Sequence, residues 1–454
     1  MRVRSIRGRA RDLVVLGLLL VSCDRTPDRP HVLLVTVDTL RPDHLGEYGG
    51  PLGTSPAIDA FLRSGATFSR AFVPRGQTWP SLATILTSEY PVDHGVRKNG
   101  QPFWPGIPSL AEVLHDRRYA TAAFLANAGG AGWTGFEVLQ DLQGDDRKAI
   151  DAADAWLDTV GKRPFFLWVH LFTSHRPYTP PAPLAQRYDP GYAGPIDGSI
   201  EQMEEIARRE WEPTPQDVRH MIALYDAEVR EVDRRFQELL RLIDDRGLRE
   251  RTIVAFVADH GEELYARNHY FSHSASIYDT VLRVPLGFRW PDSIPGGGLS
   301  DGVVEAIDVA PTILQLVGLP APEEFLGISL AAIARGQRRG GRDRRAWAEL
   351  EDRVVSLRTE DWRFVYNPGR FEYPLDAEGN VTYPIREQEL YDEKADPGER
   401  FDVSARESTE TLRMRLELEA WMRAHDWEAA SRRHAERGID PAARELLESL
   451  GYLD

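Results

Sequence analysis

The chain has 454 residues, 42% of them apolar and 9% aromatic, enough for a sizeable core and more than one average domain. Its formal net charge is −16, and removing the first 22 residues, with their five arginines and one aspartate, leaves −20. A nucleic-acid-binding domain shows the opposite balance, so no nucleic-acid partner is expected. The acidity describes a solvated surface, and a local cationic site can still sit within it.

Residues 1–22 place Arg2, Arg4, Arg7, Arg9 and Arg11 ahead of an apolar run from Leu13 to Val21, interrupted by Gly17. The run is too short to span a bilayer and has the layout of an export signal. It ends in Leu20-Val21-Ser22-Cys23, which resembles a bacterial lipobox, where the cysteine becomes the lipidated first residue of the mature protein. Cys23 is also the only cysteine, which rules out an intramolecular disulfide. The expectation is an exported protein of the bacterial envelope, lipid-anchored to a membrane through Cys23, with residues 23–30 as a polar linker. An ordinary signal with an incidental cysteine is the alternative.

His31 to Asp38 reads as a nearly continuous apolar strand of the kind buried on both faces of a parallel sheet. Similar runs recur at Thr121–Leu125, Phe165–Phe172, Thr252–Val257 and Val284–Phe288. Amphipathic stretches lie between them, at Pro56–Arg63, Ser109–Arg117, Arg147–Val160, Gln216–Asp245 and Ala310–Val317. This alternation predicts an α/β domain over residues 31–340, a mostly parallel central sheet flanked by helices. A Gly/Arg-rich stretch from Arg335 to Arg345 marks a boundary. Beyond it, paired strands at Val354–Arg358 and Trp362–Tyr366 and a helix at Ser408–Arg423 predict a small C-terminal α+β subdomain over residues 341–424. Residues 425–454 read as a charged helical tail.

Asp38 ends the first buried strand, and Asp259-His260 follows the strand Ile253–Ala258. Ligand sites in open α/β sheets form beyond the carboxyl ends of strands, so these three side chains can converge into an oxygen-rich divalent-metal site. Thr78 lies at the start of a helical run whose Pro80 suits a first turn, where the helix dipole favours anions. Each residue alone has an ordinary alternative. Asp38 can cap a turn, Asp259-His260 can be a strand exit, and Thr78 can be a helix N-cap.

The order of the segments resembles the sulfatase family of the alkaline phosphatase superfamily over roughly His31 to Trp421. The matching pieces are Val37-Asp38-Thr39-Leu40-Arg41-Pro42-Asp43, the Thr78–Ser88 signature, Phe165–His170 running into His175-Arg176-Pro177-Tyr178, and Ala258-Asp259-His260-Gly261-Glu262. They continue through His273, Arg283–Leu286, Ile307–Thr312 and Glu389–Asp392. The resemblance implies the alkaline phosphatase/sulfatase fold and one divalent ion, Mn, Zn, Ca or Mg, held by Asp38, Thr78, Asp259 and His260. It puts Thr78 in the nucleophile position and His175 and His273 against the ester or its leaving oxygen. His175 as a loop residue and His273 as a surface residue are the alternatives. His170 and His269 have weaker claims, as do Lys98 and Asn99 for substrate.

The chain departs from the family pattern in four places. Thr78 stands where formylglycine is made from Cys or Ser, Leu82 replaces the signature arginine, Phe124–Ala128 stands where a Lys-x-His segment is common, and Thr39 replaces the second aspartate of a pair. A threonine cannot become formylglycine, and a sulfated threonine lacks the second hydroxyl that expels sulfate by elimination. A phosphorylated threonine can be resolved by water or an alcohol at phosphorus. The expectation is a metal-dependent hydrolase of a phosphodiester or phosphonate ester, small, glycan-linked or lipid-linked, through Thr78, with His175 or His273 as a general acid near neutral pH. A true sulfatase, an envelope phospho-group transferase and an inactive sulfatase-like binding protein are the alternatives.

Overall fold

The computed structural model describes residues 29–51, 53–127, 132–267, 270–338, 343–351, 353–370, 372–374, 381–435 and 444. The export segment, Cys23 and His269 therefore lie outside the described residues, as does most of the expected tail. No described helix is long and apolar enough to cross a membrane.

Eight strands form the central sheet: β1 (His31–Val37), β2 (Ala66–Phe72), β3 (Ala120–Leu125), β4 (Val138–Asp141), β5 (Phe165–Leu171), β6 (Thr252–Ala258), β7 (Arg283–Arg289) and β8 (Gly298–Glu305). Their order is β4-β3-β5-β1-β6-β7-β2-β8, and every pairing is parallel except those that β7 makes with β6 and β2. The expected mostly parallel sheet is what forms. Strands β1, β5 and β6 are buried at every position because each has neighbours on both edges and helices on its faces. The helix Asp146–Leu157 packs on β3 and β5, and Val309–Leu316 packs on β6. Helix starts are chemically set: Ser109 with Glu112 and Thr214 with Asp217 form capping boxes, each worth about 1 kcal/mol.

Register decides where function can sit. Val37 of β1 pairs with Leu171 of β5 and with Ala258 of β6, so the three central strands end level with one another. The next residue of β1 is Asp38 and the next of β6 is Asp259. Their amides continue the ladder, Asp38 donating to the Leu171 carbonyl (2.9 Å) and Asp259 to the Val37 carbonyl (3.1 Å).

Strands β9 (Ala346–Leu350), β10 (Val354–Arg358), β11 (Trp362–Tyr366) and β14 (Gln388–Asp392) form a second, antiparallel sheet in the order β14-β11-β10-β9, and β12 (Glu372–Pro374) pairs with β13 (Val381–Pro384). The helix Ser408–Ala424 covers β10 and β11, and its core continues into Tyr90, Val92 and Ile307 of the main domain. A short helix, Trp427–Ala435, follows and packs on Pro91–His94.

An ion cluster fastens this subdomain to the segment ahead of Thr78. Glu349 on β9 accepts from Arg75 (3.0 Å) and from both Nε and Nη2 of Arg97 (2.8 Å each), and its amide donates to the Pro74 carbonyl (2.8 Å). All three side chains are 1–2% exposed. Removing one partner leaves buried charge uncompensated, so Glu349→Ala is expected to destabilise the fold by about 3–5 kcal/mol. Urea unfolding of the two proteins measures the difference, and a loss under 1 kcal/mol would contradict this role.

Candidate active site

Five buried groups meet beyond the ends of β1, β5 and β6. Asp38, Asp259, His260 and His170 are all 0% exposed, and Thr78 is 2% exposed. His260 Nε2 lies 3.6 Å from Asp38 Oδ1, 3.7 Å from Asp259 Oδ2 and 3.5 Å from Thr78 Oγ1. His170 Nε2 lies 3.7 Å from Asp38 Oδ2, and Asp38, His170 and Asp259 each offer a ligand atom within 4.8 Å of the others. Such spacings suit donors sharing one ion at about 2.0–2.3 Å. The structure thus brings together Asp38, Thr78, Asp259 and His260, the four metal ligands expected from the sequence, and sets His170, which had a weaker claim, beside them.

Hydrogen bonding aims these atoms inward. Asp259 Oδ1 accepts from the amides of His260 (2.7 Å) and Thr39 (3.3 Å), which leaves Oδ2 facing the cluster. His260 Nδ1 donates to the Gly261 carbonyl (2.9 Å), the tautomer that presents an Nε2 lone pair. Thr39 sits at φ 52°, a costly conformation for a β-branched residue, while its carbonyl accepts from Tyr225 (2.7 Å) and the Asp38 carbonyl accepts from Ser174 (2.6 Å). Both Asp38 carboxylate oxygens, Asp259 Oδ2, His170 Nε2 and Thr39 Oγ1 are buried with no hydrogen-bond partner among the described residues. Orphaned acceptors at this density are costly unless a cation satisfies them, so the residues fit a divalent ion.

The electrostatics agree. Burial, then the charge of Asp38, pushes Asp259 well above the carboxylate range. Burial also opposes ionisation of Asp38, but His170, His175 and His260 outweigh it and hold that group below its ordinary value. Burial lowers His260 to about 4, so the ring is neutral and able to ligate at pH 7.

Thr78 is the first residue of the helix Thr78–Thr87, and the cap position belongs to Gln77, whose side chain makes no capping bond. The hydroxyl of Thr78 therefore faces His260. Asn99 Oδ1 satisfies a free amide of the first turn by accepting from Trp79 (2.9 Å), and Ser81 donates to the Arg75 carbonyl (2.5 Å). Gly76 lets this segment pass the His273 loop, where a Cβ would meet the His273 carbonyl at 3.3 Å. Asn99 is thus a cap supplied from another loop, and Lys98 pairs with Glu351 at 2.8 Å.

His175 and His273 complete the site. The His273 ring lies 4.2 Å from that of His260 and 5.5 Å from that of His175, which stacks on Phe172 at 4.5 Å. His175 Nδ1 donates to the Arg176 carbonyl (2.7 Å), and His273 Nδ1 lies 3.5 Å from Glu262. Sequence reasoning passed over Glu262, which reads there as part of a strand exit. It is fully buried, and that burial raises its pKa. Both histidines are buried, against their surface or loop alternatives, and burial lowers each to about 4. Burial thus favours the neutral form of both rings at pH 7, below the near-neutral tuning expected of a general acid.

Residues 30–319 match the Sulfatase family model, well over half of the chain. The chain belongs to the sulfatase family. The Δ4,5-hexuronate-2-O-sulfatase of Bacteroides thetaiotaomicron is 24% identical, with 86% of this chain aligned to 88% of that relative. A sulfatase-fold structure solved with its substrate D-glucosamine-2-N,6-O-disulfate superposes with a TM-score of 0.73 at 20% identity, covering 89% of this chain and 99% of that one. The phosphonate monoester hydrolase of Silicibacter pomeroyi superposes with a TM-score of 0.71 at 19% identity, covering 87% and 96%. This sulfatase-family chain is thus a hydrolase whose fold is shared by enzymes named for sulfate and for phosphonate esters.

Burial and the Asp38 charge make Asp259 hold its proton more tightly, so a divalent ion entering this sulfatase-family site competes with that proton. Metal affinity is therefore expected to fall as pH falls through the range below the raised Asp259 pKa, about tenfold per unit for one displaced proton. His260 adds a second proton only near pH 4. Calorimetric titrations with Mn²⁺ across a pH series should show affinity falling as pH is lowered; an affinity independent of pH would contradict the assignment.

Proposed function

We propose that the protein is a metal-dependent hydrolase of phosphodiester or phosphonate esters, with Thr78 as nucleophile. The observation that carries this reading is the Thr78 hydroxyl at the start of a ten-residue helix, 3.5 Å from His260 Nε2 and amid two buried aspartates. A bound divalent ion supplies charge neutralisation for the ester and lowers the hydroxyl pKa. The helix N-terminus adds partial positive charge for an anion.

In the first half-reaction Thr78 Oγ1 bonds to phosphorus as the bond to the leaving oxygen breaks. The hydroxyl proton reaches that oxygen by way of His175 or His273, both neutral and able to accept it. In the second, water bonds to phosphorus, the Thr78–phosphorus ester breaks, and one proton of the water returns to Thr78. An acceptor alcohol in place of water would make the same site a transferase. The substrate is an anionic ester, small, glycan-linked or lipid-linked.

A second reading, hydrolysis of sulfate esters, is favoured by the names of relatives such as the 2-O-sulfatase. Opposed to it is the single carbinol oxygen of Thr78, which offers no elimination route for sulfate. Aryl phosphodiester, phosphonate, phosphate monoester and sulfate substrates presented to Mn²⁺-loaded and Zn²⁺-loaded enzyme decide between them. Phosphodiester or phosphonate turnover is expected, reduced by roughly 10³-fold or more in Thr78→Ala. Turnover of sulfate ester alone would overturn the phosphoryl reading, and no turnover with metal bound would make the protein a binding module.

We also propose export and lipid anchoring through Cys23, supported by the arginine-rich apolar leader and by Cys23 being the only cysteine. Incorporation of labelled palmitate in a bacterial host, lost in Cys23→Ser, is the expected result.

A further inference from the structure

His170 has only a weak claim from the sequence, and of the five clustered groups it is the one that the proposed mechanism does not employ. The register explains how it arrives. His170 of β5 pairs with Thr36 of β1, and Asp38 lies two residues beyond Thr36. Side chains alternate along a strand, so His170, Thr36 and Asp38 emerge on one face of the sheet. The ring therefore points toward the aspartates rather than into the apolar core.

Its two nitrogens are in different situations. Nδ1 is 2.8 Å from Thr36 Oγ1, and that oxygen also accepts the indole N–H of Trp168 (2.9 Å). The hydroxyl oxygen has two lone pairs and can accept from both rings. With the proton on Nδ1, Nε2 carries a lone pair 3.7 Å from Asp38 Oδ2, too far for a hydrogen bond, and without another partner among the described residues. The opposite tautomer would bury an unsatisfied N–H at the same place. A cation shared with Asp38 and Asp259 satisfies every group at once.

Thr39 adds a reason for this ligand. Its side chain carries no charge, and its Oγ1 has no hydrogen-bond partner among the described residues. We infer that His170 Nε2 is itself a ligand of the metal, supplying a nitrogen donor where Thr39 brings no carboxylate. The inference rests on the reading that Asp38, Asp259 and His260 hold an ion. The donor set becomes two carboxylates, two imidazoles and the Thr78 hydroxyl. Two nitrogens move the site away from Ca²⁺ and Mg²⁺, which prefer oxygen, toward Zn²⁺, Co²⁺ and Mn²⁺. Thr36 and Trp168 are then positioning residues that fix the ring and its tautomer.

Full-length protein, stripped with chelator, is titrated separately with Zn²⁺ and Ca²⁺, and metal content is measured after gel filtration. Cu²⁺-loaded samples are read by electron paramagnetic resonance for nitrogen hyperfine couplings. Wild type should favour Zn²⁺ over Ca²⁺. His170→Ala should weaken Zn²⁺ by roughly 10²-fold, change Ca²⁺ far less and show one coupled imidazole fewer. Melting of the metal-free proteins reports whether each variant folds. Should His170→Ala not fold, His170→Gln and Thr36→Val take its place, the first expected to lose the same imidazole and the second to weaken Zn²⁺ by roughly tenfold. Unchanged Zn²⁺ affinity and an unchanged nitrogen count in a folded His170 variant would overturn the inference and leave the metal site standing. Failure of wild type to take up any of these ions would overturn both.

Discussion

Two carboxylates, Asp38 and Asp259, are placed side by side at the ends of adjacent parallel strands, and water reaches neither of them. Two ionised carboxylates this close in a desolvated site would repel by several kcal/mol, on the order of 4 kcal/mol at about 4 Å and an effective dielectric of about 20, so Asp259 is pushed toward its protonated form unless a cation is present. The fold does not relieve this with an arginine or lysine. It sets His170 and His260 beside the pair, the His260 ring kept neutral by burial, and it orients Asp259 Oδ2 inward by occupying Oδ1 with two backbone amides. The remaining geometry follows from that unresolved charge. Neutral rings can ligate, the strained Thr39 holds the turn that gathers the amides, and a positive helix end approaches from the third side.

The approach of that helix is itself built. Its first turn is satisfied by Asn99 from another loop, and the segment before it is held by Arg75, which joins Arg97 on Glu349 of the second sheet. Among the described residues, the C-terminal subdomain contributes no side chain to the aspartate cluster. Its effect is mechanical, because the β9 amide on Pro74 and the buried ion cluster fix the chain four residues before Thr78. Displacement of a nucleophile by 1 Å costs rate steeply, so a support of this kind bears on chemistry without touching substrate.

The strands that build the site were legible because burial on both faces leaves continuous apolar runs, and β1, β5 and β6 carry them almost without interruption. Strands β2 and β8 were not, since they lie near one edge and tolerate Ser69, Arg70, Ser300 and Asp301 within the run. Asp38 and Asp259-His260 stood out as polar residues directly after apolar runs. His170 carried the same chemistry but lay inside its run, and only the pairing of β5 with β1 reveals that it shares a face with Asp38. The parity of an isolated strand was readable; the register between two strands 130 residues apart was not. Glu349 and Asn99 were hidden for the same reason, their partners being distant in sequence.

Threonine gives the site a constraint that the scaffold alone does not. With one oxygen on its carbinol carbon, any ester formed on Thr78 must be broken by attack at the central atom, so the resolving step needs a base for the incoming water or alcohol. Burial lowers His175 and His273 to about 4, which suits a group that starts neutral and takes a proton. An acid already protonated at pH 7 would serve the first half-reaction and obstruct the second. In the proposed reaction a neutral ring would serve both, taking the proton from Thr78 and passing it to the leaving oxygen, then taking one from the water and returning it to Thr78. The neutral rings and the single hydroxyl thus suit one another, because a resolving step by direct attack begins with a proton taken from the incoming nucleophile.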